Sequence, residues 1–215
     1  SSPSSMACSS CAIRASAMDF LRKGADLAAE METDILVGPF CAPVGQLIGR
    51  RRNESEWKRA VDGLRAVAPH FEQRGVAMAI EPLNRFETFF LNTAADGKRL
   101  CDEVGSPNVG LLIDTFHANI EEKTLGDALT ASGLHTRHIH TCENDRGIPG
   151  TGHVDWTTLR EWIQASGYNA WVTIESFGFS IPEIAAAACI WRDLAPDSEM
   201  IASEGVRFLR RMSRE

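Results

Sequence analysis

The sequence lacks the features that would indicate a membrane or a nucleic acid as a partner. It contains no apolar run close to the ~20 residues of a membrane-spanning helix, and its formal net charge is -7. Proteins that bind along nucleic-acid phosphates are usually basic, because each phosphate contact needs a positively charged side chain. We therefore expect neither a membrane partner nor a nucleic-acid partner.

Cysteine is scattered, with six residues in the chain. Cys8 and Cys11 form one CxxC pair, but no second CxxC or HxxxH follows at zinc-finger spacing, so we expect no structural zinc site. Residues 1–11 have neither the charged region nor the apolar region of a signal peptide. Reduced thiols are typical of a reducing compartment, and we expect a cytoplasmic protein.

Short apolar runs alternate with amphipathic segments after a serine-rich beginning. The 215 residues, 44% hydrophobic and 24% charged, suit one folded domain. We predict a tail over residues 1–16 and a single domain over residues 17–215. The predicted strands cover residues 34–38, 76–81, 109–113, 137–140 and 170–174. The predicted helices cover residues 17–30, 54–74, 93–104, 121–132, 155–166, 181–194 and 197–212.

Apolar strands separated by helices predict a parallel sheet with helices outside it, as in a doubly wound sheet or a β/α barrel. No GxGxxG or GxxxxGK[ST] motif follows any predicted strand, so a nucleotide-binding sheet has no support. Polar residues instead stand at the carboxyl ends of four successive strands, which is where barrel enzymes bring catalytic groups together. These residues are Glu81, Asp114, His140 and Glu175.

Three carboxylates and one imidazole are a suitable ligand set for one divalent cation. Oxygen-rich ligation with a single nitrogen favours Mn²⁺, Mg²⁺ or Co²⁺ over Zn²⁺, which prefers more histidine and cysteine. His138 lies two residues before His140 and therefore points to the same side of the strand. We assign His138 a role in the core or in support of the site rather than as a ligand.

The segments at these strand ends resemble the ketose 3-epimerases (D-tagatose and D-allulose 3-epimerases) of the sugar isomerase/epimerase barrel superfamily, which also contains xylose isomerase. The resemblance runs from about residue 17 to the end of the chain and implies a TIM-barrel domain, a sugar substrate and a homo-oligomer, either a dimer or a tetramer. The matching segments are EPLNRFET from Glu81, DTFHANIEE from Asp114, HTCENDRGIPGTGH from His140 and ESF from Glu175.

The resemblance also implies roles for individual residues. The four strand-end residues would bind one metal ion, with Mn²⁺ first and Mg²⁺ or Co²⁺ as alternatives, and Glu81 and Glu175 would form the acid/base pair. Ala118 stands where methionine is common, and we expect this to affect only the shape of the pocket. The residues that would contact the substrate are Glu87, His117 and Arg146.

The chemistry of C3 epimerisation suits this arrangement. A proton must leave one face of C3 and return to the other through an enediolate intermediate, which a metal on the C2 carbonyl and O3 would stabilise. One carboxylate on each face can exchange that proton. Glu81 and Glu175 belong to strands three steps apart, which in a ring of eight places them across the opening from each other.

A complete barrel typically has eight strands and ~250 residues, whereas we predict five strands. We therefore expect a (β/α)8 TIM-barrel type that is truncated at its amino-terminal side, with about five β/α units. Other functions remain open: a related aldose–ketose or hydroxypyruvate isomerase, a zinc phosphodiesterase of the endonuclease IV type, or a non-catalytic barrel remnant. The acidic charge and the single ligand histidine argue against the phosphodiesterase.

Overall fold

The computed structural model describes residues 5–214, and its centre is one five-stranded parallel sheet. The strands pair in chain order, each with the next. A doubly wound sheet reverses its strand order partway, so the sequential order confirms the barrel prediction. The strands are β1 (Ile35–Gly38), β2 (Ala77–Ile80), β3 (Val109–Asp114), β4 (Thr136–Thr141) and β5 (Trp171–Ile174).

Helices follow every strand and pack outside the sheet. Leu64, Phe71, Leu100 and Leu129 lie on these helices and are fully buried in the core beside the sheet. The helices are α1 (Cys11–Glu30), α2 (Glu54–Arg74), α3 (Ala94–Val104), α4 (Thr115–Glu121), α5 (Leu125–Ser132), α6 (Trp156–Ser166), α7 (Pro182–Ala187) and α8 (Ser198–Met212). No helix within residues 5–214 is long and apolar enough to cross a membrane.

Helix α1 begins at Cys11, earlier than the predicted start at residue 17. The Arg14 guanidinium donates to the backbone oxygens of Cys8 and Ser9, at 2.7 and 2.8 Å, which supports an early first turn. Met6, just before the helix, is fully buried in the core. Residues 1–4 of the predicted tail lie outside the described residues, and the boundary of the domain stays a prediction.

Two predicted helices differ from the structure. The helix predicted over residues 121–132 begins only at Leu125, after the Thr124 cap of α5, and the preceding helix α4, which Asp114 caps, was not predicted. The helix predicted over residues 181–194 is only α7, whose end lies next to Cys189 with a left-handed φ of 55°. A left-handed residue ends the regular hydrogen bonding of a helix.

The carboxyl-terminal helix α8 lies close against β5. A Cβ atom at Gly205 would lie 2.7 Å from Ile174 Cδ1 and 3.2 Å from Pro149 Cδ, so the absence of a side chain permits the approach. Beside this contact, α8 and β5 line an apolar groove of about 800 Å³ that includes Val172 and Leu209. The groove lies along the edge of the sheet and contains none of the predicted ligands.

Candidate metal centre

The four predicted ligands come together at the carboxyl ends of the strands. Asp114 is the last residue of β3 and pairs with His140 of β4 in the strand register. Glu81 and Glu175 directly follow β2 and β5, and their backbone N–H groups donate to Gly38 and Thr141 of the neighbouring strands, both at 3.0 Å. One ligand atom from each of the four residues lies within 4.8 Å of the others.

The imidazole of His140 stands among the three carboxylates. Its Nδ1 is 3.2 Å from Glu175 Oε2, 3.7 Å from Asp114 Oδ2 and 3.8 Å from Glu81 Oε1. Ligands about 2.1 Å from one ion, at octahedral angles, lie about 3.0 to 4.2 Å from one another. The observed separations are therefore those of one coordination sphere.

Two of these ligand atoms are buried without a hydrogen-bond partner, Glu81 Oε1 and His140 Nδ1. A buried polar atom left unpaired is costly, and both atoms point into the same cluster. A single divalent cation would satisfy both of them. The residues present therefore fit one metal ion, with Glu81, Asp114, His140 and Glu175 as its ligands.

The electrostatics of the cluster also favour a cation. Burial, followed by repulsion from Asp114 and Glu175, raises the pKa of Glu81 to about 8. Burial alone would lower the pKa of His140, but the negative charges of the nearby Asp114 and Glu175 outweigh it and raise the value to about 10. The cluster therefore holds protons tightly at two of the positions where a metal ion would replace them.

Arg146 is almost fully buried beside the cluster. Its Nη1 donates to Asp114 Oδ2 and to Glu175 Oε2, each at 2.8 Å. Burial would raise the pKa of Asp114, but the Arg146 charge, with His140 and His117, holds it well below its ordinary value. The guanidinium also lies over the Phe116 ring, 4.2 Å from its centre, in a cation–π contact.

His117 lies on the other side of the Arg146 guanidinium, with Nε2 3.0 Å from Nη2. The backbone N–H of Asn84 donates to His117 Nδ1 at 3.1 Å. Donors therefore approach both ring nitrogens, and Nε2 also lies 3.6 Å from Glu81 Oε1. Burial lowers the pKa of His117 to about 4, so the ring is neutral at neutral pH and available for hydrogen bonding.

Glu87 reaches this group of residues through Asn84. The Asn84 side chain donates to Glu87 Oε1 at 2.8 Å and lies 2.9 Å from His117 Nδ1. Asn84 is 2% exposed, and the sequence analysis did not single it out. Its position inside the EPLNRFET segment, between two predicted site residues, was the available indication.

His138 stands one layer below the ligands. Its Nε2 is 2.9 Å from Thr173 Oγ1, and its ring meets the His140 ring edge to face, with centres 5.0 Å apart. The group of four ligand atoms does not include His138. Contact with the back of the His140 ring supports the role in the core or behind the site.

The chain resembles known proteins along nearly all of its length. The family profile "Xylose isomerase-like TIM barrel" matches residues 3–212. A "Probable ketose 3-epimerase" of Synechocystis sp. is 43% identical over 175 residues, which cover 81% of this chain and 61% of that protein. An "L-ribulose 3-epimerase" of Methylomonas sp. is 31% identical over 201 residues, 93% of this chain and 70% of that protein.

Solved structures are similar over the same region. A D-allulose 3-epimerase from Methylomonas sp. superposes with a TM-score of 0.92 at 30% identity, covering 99% of this chain and 74% of that one. A D-psicose 3-epimerase from Clostridium cellulolyticum, solved with D-tagatose, gives 0.92 at 29% identity and covers 99% and 76%. These matches cover between 61% and 76% of the relatives' own lengths.

Proposed function

We propose that the chain, which belongs to the xylose isomerase-like TIM barrel family, catalyses the metal-dependent epimerisation of a ketose at C3. Relatives that are 31–43% identical to it are named as ketose 3-epimerases. The observation that carries the proposal is the cluster itself. Two glutamates from strands three steps apart meet one aspartate and one histidine within the reach of a single ion.

Glu81, Asp114, His140 and Glu175 would hold the metal ion, with Mn²⁺ as our first choice and Mg²⁺ or Co²⁺ as alternatives. A divalent cation at this position supplies Lewis-acid polarisation of the sugar carbonyl, which makes the neighbouring C3 proton more acidic. A ligand set of three carboxylates and a single imidazole suits these ions better than it suits the zinc ions of a phosphodiesterase centre.

Glu81 and Glu175 would carry the proton transfers. One starts ionised and removes the C3 proton, and the electron pair moves to the C2 carbonyl to give an enediolate. The other starts protonated and returns a proton to the opposite face of C3, so the sugar gains and loses one proton overall. Which glutamate acts first depends on the bound epimer, and the reverse reaction exchanges their roles.

Glu87, His117 and Arg146 would bind and orient the sugar. Arg146 offers N–H donors and the neutral His117 offers a ring nitrogen beside the acid/base pair, and Glu87 offers an acceptor placed by Asn84. Burial of Arg146 and His117 keeps water away from the reacting carbon, which protects the intermediate. A homo-oligomer and a cytoplasmic location complete the proposal.

The test is sugar conversion by the purified chain. D-fructose, D-tagatose and L-ribulose are incubated with the chain and Mn²⁺, and again after chelation, and the products are separated by chromatography. We expect the C3 epimer only with metal. Glu175→Gln should abolish it, whereas the matched variant Glu122→Gln should retain it, because Glu122 only accepts the backbone N–H of Ala94.

The opposite result has a clear meaning. A folded chain that binds one Mn²⁺ but converts none of the three sugars would contradict the proposal and favour the non-catalytic remnant. Conversion of an aldose to a ketose, without C3 epimerisation, would instead favour a related isomerase. Metal content measured on the same sample separates these outcomes from simple loss of the metal.

A further inference from the structure

A second buried carboxylate, outside the metal cluster, lies in the loop that joins β4 to α6. Glu143 is fully buried and accepts four N–H groups. Its Oε1 accepts from the backbone of Gly150 at 2.8 Å and from the indole of Trp156 at 2.7 Å. Its Oε2 accepts from the backbone of Val154 at 3.2 Å and of Asn144 at 3.3 Å. One side chain therefore fastens the start, the middle and the end of the loop.

The loop is built closely around this carboxylate. A Cβ atom at Gly152 would lie 2.5 Å from Glu143 Oε2 and would also collide with Asn144 Oδ1. Asn144 in turn accepts the backbone N–H of His153 at 3.2 Å.

Arg146 has a strained backbone in the same loop. Its φ of 70° is in the left-handed region, which side chains disfavour. Such a conformation persists only when its surroundings hold it. Arg146 N donates to Glu143 O at 3.0 Å, and Glu143 N donates to Gly147 O at 3.3 Å, so the backbone of Glu143 closes the turn from both sides.

We propose that Glu143 is a positioning residue, which holds this turn so that the Arg146 guanidinium reaches Asp114 and Glu175. Its side chain anchors the loop, and its backbone closes the turn that carries Arg146. The proposal rests on the proposed function only for the sugar-binding role of Arg146. The positioning itself is a property of the folded chain and can be tested without turnover.

The carboxylate is needed because all four partners are donors. Glutamine has the same shape but replaces one oxygen with an NH₂ group. In Glu143→Gln, two N–H groups of the loop would therefore face a donor and lose their acceptor. Each unpaired buried donor favours local opening of the loop, and Arg146 would leave its strained conformation as the loop opens.

The experiment measures the accessibility of Arg146 to a dicarbonyl reagent that modifies guanidinium groups, followed by peptide mapping with mass spectrometry. Arg146 is 6% exposed and should be protected in the wild-type chain, whereas the exposed Arg51 serves as the internal reference. In Glu143→Gln the rate at Arg146 should rise about tenfold or more relative to Arg51. The matched variant Glu122→Gln should leave it unchanged.

Unchanged protection of Arg146 in a folded Glu143→Gln chain would overturn the proposal. If that variant does not fold, Trp156→Phe decides, because it removes one donor and keeps the carboxylate. We then expect a rise of a few-fold at Arg146, and no rise would overturn the proposal. Circular dichroism and the melting temperature identify which variants are folded.

Epimerase kinetics give a second, independent readout. Glu143→Gln should lower kcat/KM by about 10- to 100-fold, the usual loss when a supporting partner is removed. The double variant with Arg146→Lys should be no worse than Arg146→Lys alone, because Glu143 acts through Arg146. Additive losses would overturn the positioning role, whereas absence of all turnover would count against the proposed function and leave the accessibility test decisive.

Discussion

Replacing Glu81 with glutamine should stabilise the metal-free chain at alkaline pH while destroying its metal site. Glu81 is 7% exposed, and burial beside Asp114 and Glu175 raises its pKa to about 8. The folded chain therefore binds a proton at Glu81 that the unfolded chain releases near its ordinary pKa of 4.5. The contribution of Glu81 to the free energy of unfolding therefore falls as the pH rises between these two pKa values, and it is constant above the higher one.

The magnitude follows from the pKa difference. Between pH 5.5 and pH 8, a carboxyl shifted from 4.5 to about 8 loses about 3 kcal/mol of folding stability. Glutamine does not titrate, so Glu81→Gln lacks this pH-dependent loss. Its free energy of unfolding, relative to that of the wild type, should therefore increase by about 3 kcal/mol between pH 5.5 and pH 8. Ionisable groups distant from Glu81 titrate alike in both proteins and cancel.

The assay is urea unfolding of both proteins in the presence of a chelator, at pH 5.5 and pH 8. The variant Glu122→Gln controls for the loss of one negative charge. Mn²⁺ in place of the chelator should then reverse the ranking, because a ligand stabilises the folded state by RT ln(1 + [L]/Kd) and Glu81→Gln should bind the ion far more weakly. A difference between the two proteins that does not change with pH would refute the account of Glu81.

Three further predictions concern the core, a helix cap and the substrate site. Phe71→Ala should lower the free energy of unfolding by about 3–5 kcal/mol in urea titrations, because Phe71 is fully buried. Asn53→Ala should cost about 1 kcal/mol in the same assay, since the Asn53 side chain accepts the Glu56 N–H in a capping box; no loss would contradict the cap. Asn84→Ala should raise KM more than it lowers kcat, because Asn84 orients Glu87 and His117 without touching C3; an unchanged KM would contradict this.

The positions of the residues at the strand ends could be predicted because they depend on local sequence and on the geometry of parallel strands. Short apolar runs place the strands, and parallel strands bring their carboxyl ends to one side of the sheet. Glu81 and Glu175 could therefore be placed near each other although 94 residues separate them in number. The proposed metal ligands were therefore the part of the site that was easiest to predict.

The loops were less predictable because their conformations depend on contacts between distant residues. The start of α4 depends on the Asp114 cap, and the start of α5 depends on the Thr124 cap. Glu143 appeared as one polar residue in a glycine-rich loop. Its four donors become visible only when Gly150 and Trp156 fold back onto it.

The close approach of α8 to β5 has a consequence for how this sequence can change over generations. An alanine at Gly205 collides with Ile174 Cδ1, while Pro149 limits movement on the other side. A lineage that first shortens Ile174 to valine gains the space for that alanine, whereas the reverse order passes through a less stable intermediate. Ile174 precedes Glu175 in the chain. The residue at position 205 of α8 therefore limits which side chains are tolerated at position 174, next to one of the two proposed acid/base glutamates.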